Sequence, residues 1–151
     1  MTRQPWAESA LESLRATSGR SGGARREVVA LLGRQDCCLS AQEIHDGLRD
    51  AGARVGLASV YRALESLAQG DLVQRIDLGD GVARFEPAHA GGEHHHHFVC
   101  DDCGKVEPFE DPALESALER IAGGRGYDVD AHDVVLRGAC GDCRSAVTRS
   151  A

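Results

Sequence analysis

The sequence predicts an α+β fold in two parts: an N-terminal winged helix-turn-helix and, after it, a small α/β domain carrying a four-cysteine site. Three observations predict it. Apolar residues recur at helical spacing up to Leu67 and alternate at strand spacing beyond Gly70. Two Cys-x-x-Cys pairs, Cys100/Cys103 and Cys140/Cys143, lie in the second half. Ahead of both, "PAHAGGE" reads as a linker, so the expected division is residues 1–86, a hinge at 87–93, and 94–151.

Taken in order, "AESALESL" puts Ala7, Ala10, Leu11 and Leu14 at helical spacing before "SGRSGG" breaks the pattern. "ARREVVALLG" forms a second helix through Val28, Leu31 and Leu32. In "SAQEIHDGLRDAG", Ser40 and Glu43 make a capping box, Ile44 and Leu48 the stripe, and Gly52 the stop. "GLASVYRALESLAQG" turns Leu57, Val60, Leu64 and Leu67 inward and leaves Ala58, Ser59, Tyr61, Arg62 and Glu65 facing out. "LVQRIDL" and "VARFEP" read as strands joined at "GDG". Helices followed by a β-hairpin is the order of a winged helix-turn-helix, in which helix 57–68 enters a major groove; other small helical domains share that order. The second half reads as strand ("HFVC"), a turn at Cys103–Gly104, strand ("KVEPFE"), and a helix capped by Asp111 with Pro112 at its first position. That helix carries Leu114, Leu118 and Ile121 and is expected to end at Gly123–Gly124; "YDVDAHDVVLRGAC" closes the domain as one or two strands.

Composition narrows the function classes. At 151 residues, 42% hydrophobic and 27% charged, the chain reads as globular and soluble, one ordinary domain or two small ones. No signal peptide opens it and no segment approaches the ~18 apolar residues of a membrane span, so a cytoplasmic protein without a membrane partner is expected. Thiols stay reduced there, and the six cysteines read as metal ligands or reactive thiols. A net charge of −7 argues against nucleic acid, but the charge is uneven: residues 1–86 carry 11 arginines against 12 carboxylates, residues 87–151 6 basic groups against 12. Arg15, Arg20, Arg25, Arg26 and Arg34 share a stretch whose single acid is Glu27. That is a local patch suited to phosphate contact, or else a solvated helix face.

Cys100, Cys103, Cys140 and Cys143 offer four thiolates to a tetrahedral Zn²⁺ and leave no open coordination position. A thioredoxin-like redox pair is the alternative, but no βαβ context surrounds either motif. In "HHHHFVCDDCGKV" a strand would send His94 and His96 to one face and His95 and His97 to the other, serving two different metal sites. The competing reading is a solvated polar tract. Glu115 and His132 are candidates to complete the first site. Glu86 or His89 from the hinge, with Cys38 from the first domain, are candidates for the second. Against this, exposed glutamates and lone histidines are common, and Cys37–Cys38 also reads as a pair of small buried hydrophobes.

With "SAQEIHDGLRDAGARVGLASVYRALESLAQGDLV", "HHHHFVCDDCGKV" and "GACGDC" together, the chain resembles the ferric/zinc uptake regulator family of bacterial metal-sensing repressors from about Gly19 to Cys143. The resemblance implies a winged-helix domain, an α/β dimerisation domain, a homodimer, and metal-dependent binding to palindromic AT-rich double-stranded operators. By position it assigns Cys100, Cys103, Cys140 and Cys143 to structural zinc. It assigns His94, His96, Glu115 and His132 to a second site within the dimerisation domain. His95 and His97 go to the hinge-proximal sensing site, and Tyr61 and Arg62 to DNA contact, with Ser59, Arg25 and Arg20 as further candidates. The sensing site departs from simple templates: Cys38 stands where iron sensors offer His, Glu86 matches them, and His89 stands where actinobacterial zinc sensors place Cys. A site of Cys38, two imidazoles and one of Glu86 or His89 is mixed S/N and suits Zn²⁺, so a zinc-responsive repressor is favoured over an iron-responsive one. If Cys38 points into the core, that preference for Zn²⁺ over Fe²⁺ disappears. A zinc metalloenzyme lacks the H-x-E and P-C-x-x-C motifs it would need, and a metal buffer leaves the helix-turn-helix unexplained.

Overall fold

The computed structural model describes residues 4–18, 22–88 and 94–149. The chain divides into two compact units, residues 1–92 and 93–151.

The first unit runs α1 (Gln4–Ser18), α2 (Gly23–Leu32), β1 (Leu39–Ser40), α3 (Ala41–Asp50), α4 (Leu57–Gln69), β2 (Val73–Asp77) and β3 (Ala83–Pro87). Its core is one cluster: Leu14 from α1, Val28 and Leu32 from α2, Ile44 and Leu48 from α3, and Leu64 from α4 are all buried in it. The stripes read from the sequence are the residues that fill this cluster, because burying them offsets the entropy of ordering short helices. Ser40 caps α3 reciprocally: its hydroxyl accepts from the Glu43 amide at 3.2 Å, and its own amide donates to Glu43 Oε2 at 2.7 Å. Gly52 follows α3 at φ 84°, a left-handed conformation that costs glycine nothing. Trp6 ties α1 to the hairpin by donating from Nε1 to the Leu72 carbonyl at 2.9 Å.

β3 lies between the other two strands, order β1-β3-β2, and both pairings are antiparallel. Leu39 faces Phe85 across one ladder and Gln74 faces Glu86 across the other. At the hairpin tip the Asp80 carboxylate accepts from the Val82 amide and takes both Arg84 terminal nitrogens, at 3.0 and 2.8 Å.

The second unit contains β4 (His96–Cys100), β5 (Val106–Phe109), α5 (Pro112–Arg125), β6 (Val135–Gly138) and α6 (Gly141–Arg149). β4 is central: it pairs antiparallel with β5 and parallel with β6, with α5 in the crossover between β5 and β6. Three details differ from the sequence reading. α5 continues through Gly123 and Gly124 to Arg125, and the left-handed cap is Gly126 at φ 75°. Glycine lowers helix propensity by about 1 kcal/mol without forbidding the helix, so the stop lies at the residue with positive φ. "YDVDAHDVVLRGAC" contributes one strand among the described residues, Val135–Gly138, within the one or two expected, but the α6 helix that follows has no counterpart in the sequence reading. The strand in the histidine run begins at His96, so His94 and His95 precede it.

This unit has little interior of its own. Among the described residues its buried hydrophobic side chains are Val99 and Cys100, and no residue of α5 is fully buried. Phe98, Ile121, Tyr127, Val129 and Leu136 are exposed. Among the described residues no helix is long and apolar enough to cross a membrane.

Candidate metal centre

The end of β4, the turn after it and the start of α6 bring Cys100, Cys103, Cys140 and Cys143 together, their sulfurs all within 4.8 Å of one another. Cys103 Sγ and Cys140 Sγ are 3.9 Å apart. A tetrahedron with metal–sulfur bonds near 2.3 Å has an edge of about 3.8 Å, so the spacing fits Zn²⁺. The cluster's electrostatics point the same way. The amides of Cys140 (N···Sγ 3.2 Å) and Cys103 pull the Cys100 thiol down to about 6. Cys143 is pushed well above the ordinary thiol range by the neighbouring Cys140, Cys103 and Cys100 thiols. One thiolate forms readily in this cluster; four together require a cation among them.

A second cluster lies within the same unit: His94, His96, Glu115 and His132 place their ligand atoms within 4.8 Å of one another. Glu115 is central, with Oε1 at 2.6 Å from His96 Nε2 and Oε2 at 2.8 Å from His132 Nε2 and 3.4 Å from His94 Nε2. The edge of a tetrahedron with bonds near 2.0–2.1 Å is about 3.3 Å, so this nitrogen- and oxygen-rich set also suits a divalent ion. Its carboxylate is held below the usual range chiefly by the His96 hydrogen bond, against desolvation, and further by His132 and His94. The Val134 amide donates to His96 Nδ1 at 3.2 Å. That puts the proton of a neutral His96 on Nε2, facing Glu115, where it orients the carboxylate; ligation through Nε2 would use the other tautomer, with the proton on Nδ1. No pattern in the sequence announced the role of Val134.

His95 and His97 share the other side of the histidine run, ring centroids 4.9 Å apart, while His94 and His96 are 5.2 Å apart. His97 is buried, and its Nε2 has no hydrogen-bond partner. A buried imidazole nitrogen left in this way is a lone pair or a proton awaiting a ligand.

In the first unit, Cys38 precedes β1 and Glu86 lies on β3. Continuing the β1–β3 register one residue beyond Leu39↔Phe85 sets them opposite each other. Both are buried, yet Cys38 is not a member of the apolar cluster. The Cys38 thiol is pushed far above its ordinary range by its hydrogen bond with Cys37, by burial, and by the Cys37 and Glu86 charges, with Arg84 opposing. Gln74, across the β2–β3 ladder, donates from Nε2 to Glu86 Oε1. The sequence reading overlooked Gln74; pairing "VQRID" against "ARFEP" residue by residue would have found it. His89 lies outside the described residues.

α4 presents the candidate DNA contacts. Tyr61 is 56% exposed, and the exposed Arg62 donates from Nη2 to Ser59 Oγ at 3.1 Å. Arg25, Ser59 and Arg62 line one open cleft of about 320 Å³ with Gly22 at the start of α2. Arg20 lies outside the described residues.

Known proteins resemble this chain. A model described as the ferric uptake regulator family matches residues 15–137. The zinc uptake regulation protein of Mycobacterium tuberculosis is 37% identical over 132 residues, 86% of this chain and 98% of that protein. The solved structure of the Helicobacter pylori ferric uptake regulator, described as having three functional metal binding sites, aligns with a TM-score of 0.77 at 30% identity. It covers 91% of this chain and 93% of that one. A zinc uptake regulator complexed with zinc and DNA aligns with a TM-score of 0.57 at 25% identity, over 98% and 99% of the two chains.

Proposed function

Because this chain belongs to the ferric uptake regulator family, we propose that it is a cytoplasmic, zinc-responsive repressor that binds palindromic AT-rich operators as a homodimer. In this reading Cys100, Cys103, Cys140 and Cys143 hold structural Zn²⁺, and the regulatory ion takes Cys38 and Glu86 from the first unit with His95 and His97 from the second, His89 being a further candidate donor. His94, His96, Glu115 and His132 form an auxiliary site contained in the second unit.

One observation carries the zinc preference: the buried Cys38 stands opposite the buried Glu86 on the continued β1–β3 register, so a thiol and a carboxylate face each other at one place. A thiol beside imidazoles makes the donor set soft enough for Zn²⁺. The unpartnered His97 Nε2 supports the same site from the second unit. Bound metal supplies charge neutralisation and fixed ligand geometry, with no bond-making step. The residues do the rest. Donors contributed by both units favour the arrangement in which all are satisfied, and affinity for the operator follows the population of that arrangement. Tyr61 and Arg62 then meet base edges or phosphate from α4, while Arg25 and Ser59 line the adjoining cleft.

Iron responsiveness is the second reading. It is favoured by the buried Glu86 carboxylate and by the ferric regulator among the structural relatives. The test is fluorescence anisotropy of a palindromic AT-rich duplex, selected from a random pool by the metal-loaded protein, against Zn²⁺, anaerobic Fe²⁺ and chelator. Zn²⁺ is expected to raise affinity at least about tenfold, a ~1.4 kcal/mol coupling. His97→Ala should lose that gain while keeping its structural zinc. A response to Fe²⁺ alone transfers the reading to iron; metal-independent binding rejects both.

A further inference from the structure

We infer that Cys37 and Cys38 together chelate one thiophilic dication, so that the regulatory site is a two-thiolate site. The inference deepens the reading above and rests on it only for the location of that site. Side chains of neighbouring residues in a strand point to opposite faces. Here a bend at Asp36–Cys37, just ahead of β1, turns both thiols the same way and leaves their sulfurs 3.8 Å apart. That is nearly the 3.9 Å between Cys103 and Cys140 in the four-cysteine cluster. With metal–sulfur bonds near 2.3 Å, it corresponds to an S–metal–S angle of about 110°, tetrahedral rather than linear.

The surroundings suit an ion. Cys38 is buried and Cys37 half-buried, and neither is a member of the apolar cluster that the helices bury. Glu86, opposite Cys38 on the continued β1–β3 register, supplies a carboxylate as a third donor from the same unit. Two sulfurs on one ion favour a closed-shell thiophilic dication such as Zn²⁺ and disfavour Fe²⁺, which is better served by oxygen and nitrogen. The sequence offers Cys38 as a candidate donor and reads both cysteines, alternatively, as small buried hydrophobes; the separation of the two sulfurs gives Cys37 a part as well.

The chain has six cysteines, so once Zn²⁺ fills the four-cysteine site the only other thiols are these two. Full-length zinc-loaded protein, kept reduced without added thiol, is titrated with Co²⁺ while its zinc content is monitored. Thiolate-to-Co²⁺ charge transfer in the near ultraviolet is then read per bound ion. The His94/His96/Glu115/His132 cluster has no sulfur and is silent in this band. Wild type should show the band, Cys37→Ser and Cys38→Ser should each halve it, and the double variant should abolish it. Cys37→Ser carries the most weight, since Cys37 is the less buried of the two. A wild type without the band, or an undiminished band in Cys37→Ser, overturns the inference. The undiminished band together with zinc-dependent DNA binding that His97→Ala abolishes would leave the proposed function standing. A halved band with DNA binding indifferent to metal would do the reverse.

Discussion

Cys103→Ser should unfold the second unit and leave the first intact. Among the described residues of the second unit the buried hydrophobic side chains are Val99 and Cys100, and α5 buries no residue completely. Burying a side chain such as Val99 contributes about 2 kcal/mol, whereas a structural zinc site in a small domain contributes about 10–16 kcal/mol. Within one chain the metal contribution is therefore several times larger than that of the apolar interior, and removing one of four thiolates takes away more than the rest replaces. Amide hydrogen exchange reads this directly. The His97, Cys100 and Asp101 amides donate to the Val134, Lys105 and Gly138 carbonyls at 3.1, 2.9 and 2.8 Å, and all three should lose protection. Trp6, the single tryptophan, is held to Leu72 in the first unit, and its fluorescence should not change. Wild type stripped of zinc under reducing conditions should behave as the variant does. Slow exchange retained at those three amides in a zinc-free Cys103→Ser protein would refute the reasoning.

On the DNA side, Tyr61→Ala and Arg62→Ala should each weaken operator binding by about 1–3 kcal/mol. Tyr61→Ala should reduce specific binding more than non-specific binding, and equal losses on operator and random duplex would remove Tyr61 from base readout. The Asp80–Arg84 clasp predicts a pH dependence. The hydrogen bond from Arg84 holds the Asp80 carboxyl at about 2, below its ordinary 3.8. The clasp therefore stabilises the hairpin fully above about pH 4, and this contribution is lost as pH falls through about 2. Discounted for its solvent-exposed position, it amounts to about 1 kcal/mol. Asp80→Asn should cost that much at pH 7 in urea unfolding followed by Trp6, with the gap to wild type narrowing below pH 4; a gap that persists at pH 2 would count against the clasp.

Much of this architecture was legible in the sequence because it is local. The Ser40/Glu43 capping box, the Ile44 and Leu48 stripe, and the Asp111–Pro112 start of α5 each depend on residues within a turn or two of one another. β1 was not legible: two residues make no pattern, and their partners in β3 lie more than forty positions away. The same limit hid Gln74 behind Glu86 and Val134 behind His96, contacts that exist only once strands are in register. α6 was missed because its nine residues, small and charged for the most part, show no apolar stripe in the sequence. Spacing alone pointed to all four cysteines of the C-terminal cluster, since Cys-x-x-Cys already carries its own turn.

Ser40 occupies two structures at once. It pairs with Arg84 across the β1–β3 ladder, and it is the reciprocal cap that starts α3. Cys38 stands two residues before it. The chain between Cys38 and the start of α3 therefore has no slack: the ladder fixes where the segment sits sideways, and the cap fixes where it stops lengthwise. A single inserted residue after Cys38 has to break the cap, slip the pairing so that neighbouring side chains exchange faces, or carry both cysteines away from Glu86. Changes of residue type in this segment alter chemistry at one place, whereas changes of length shift helix start, sheet register and ligand position together. Among natural variants of this segment, substitutions should be common and insertions or deletions rare.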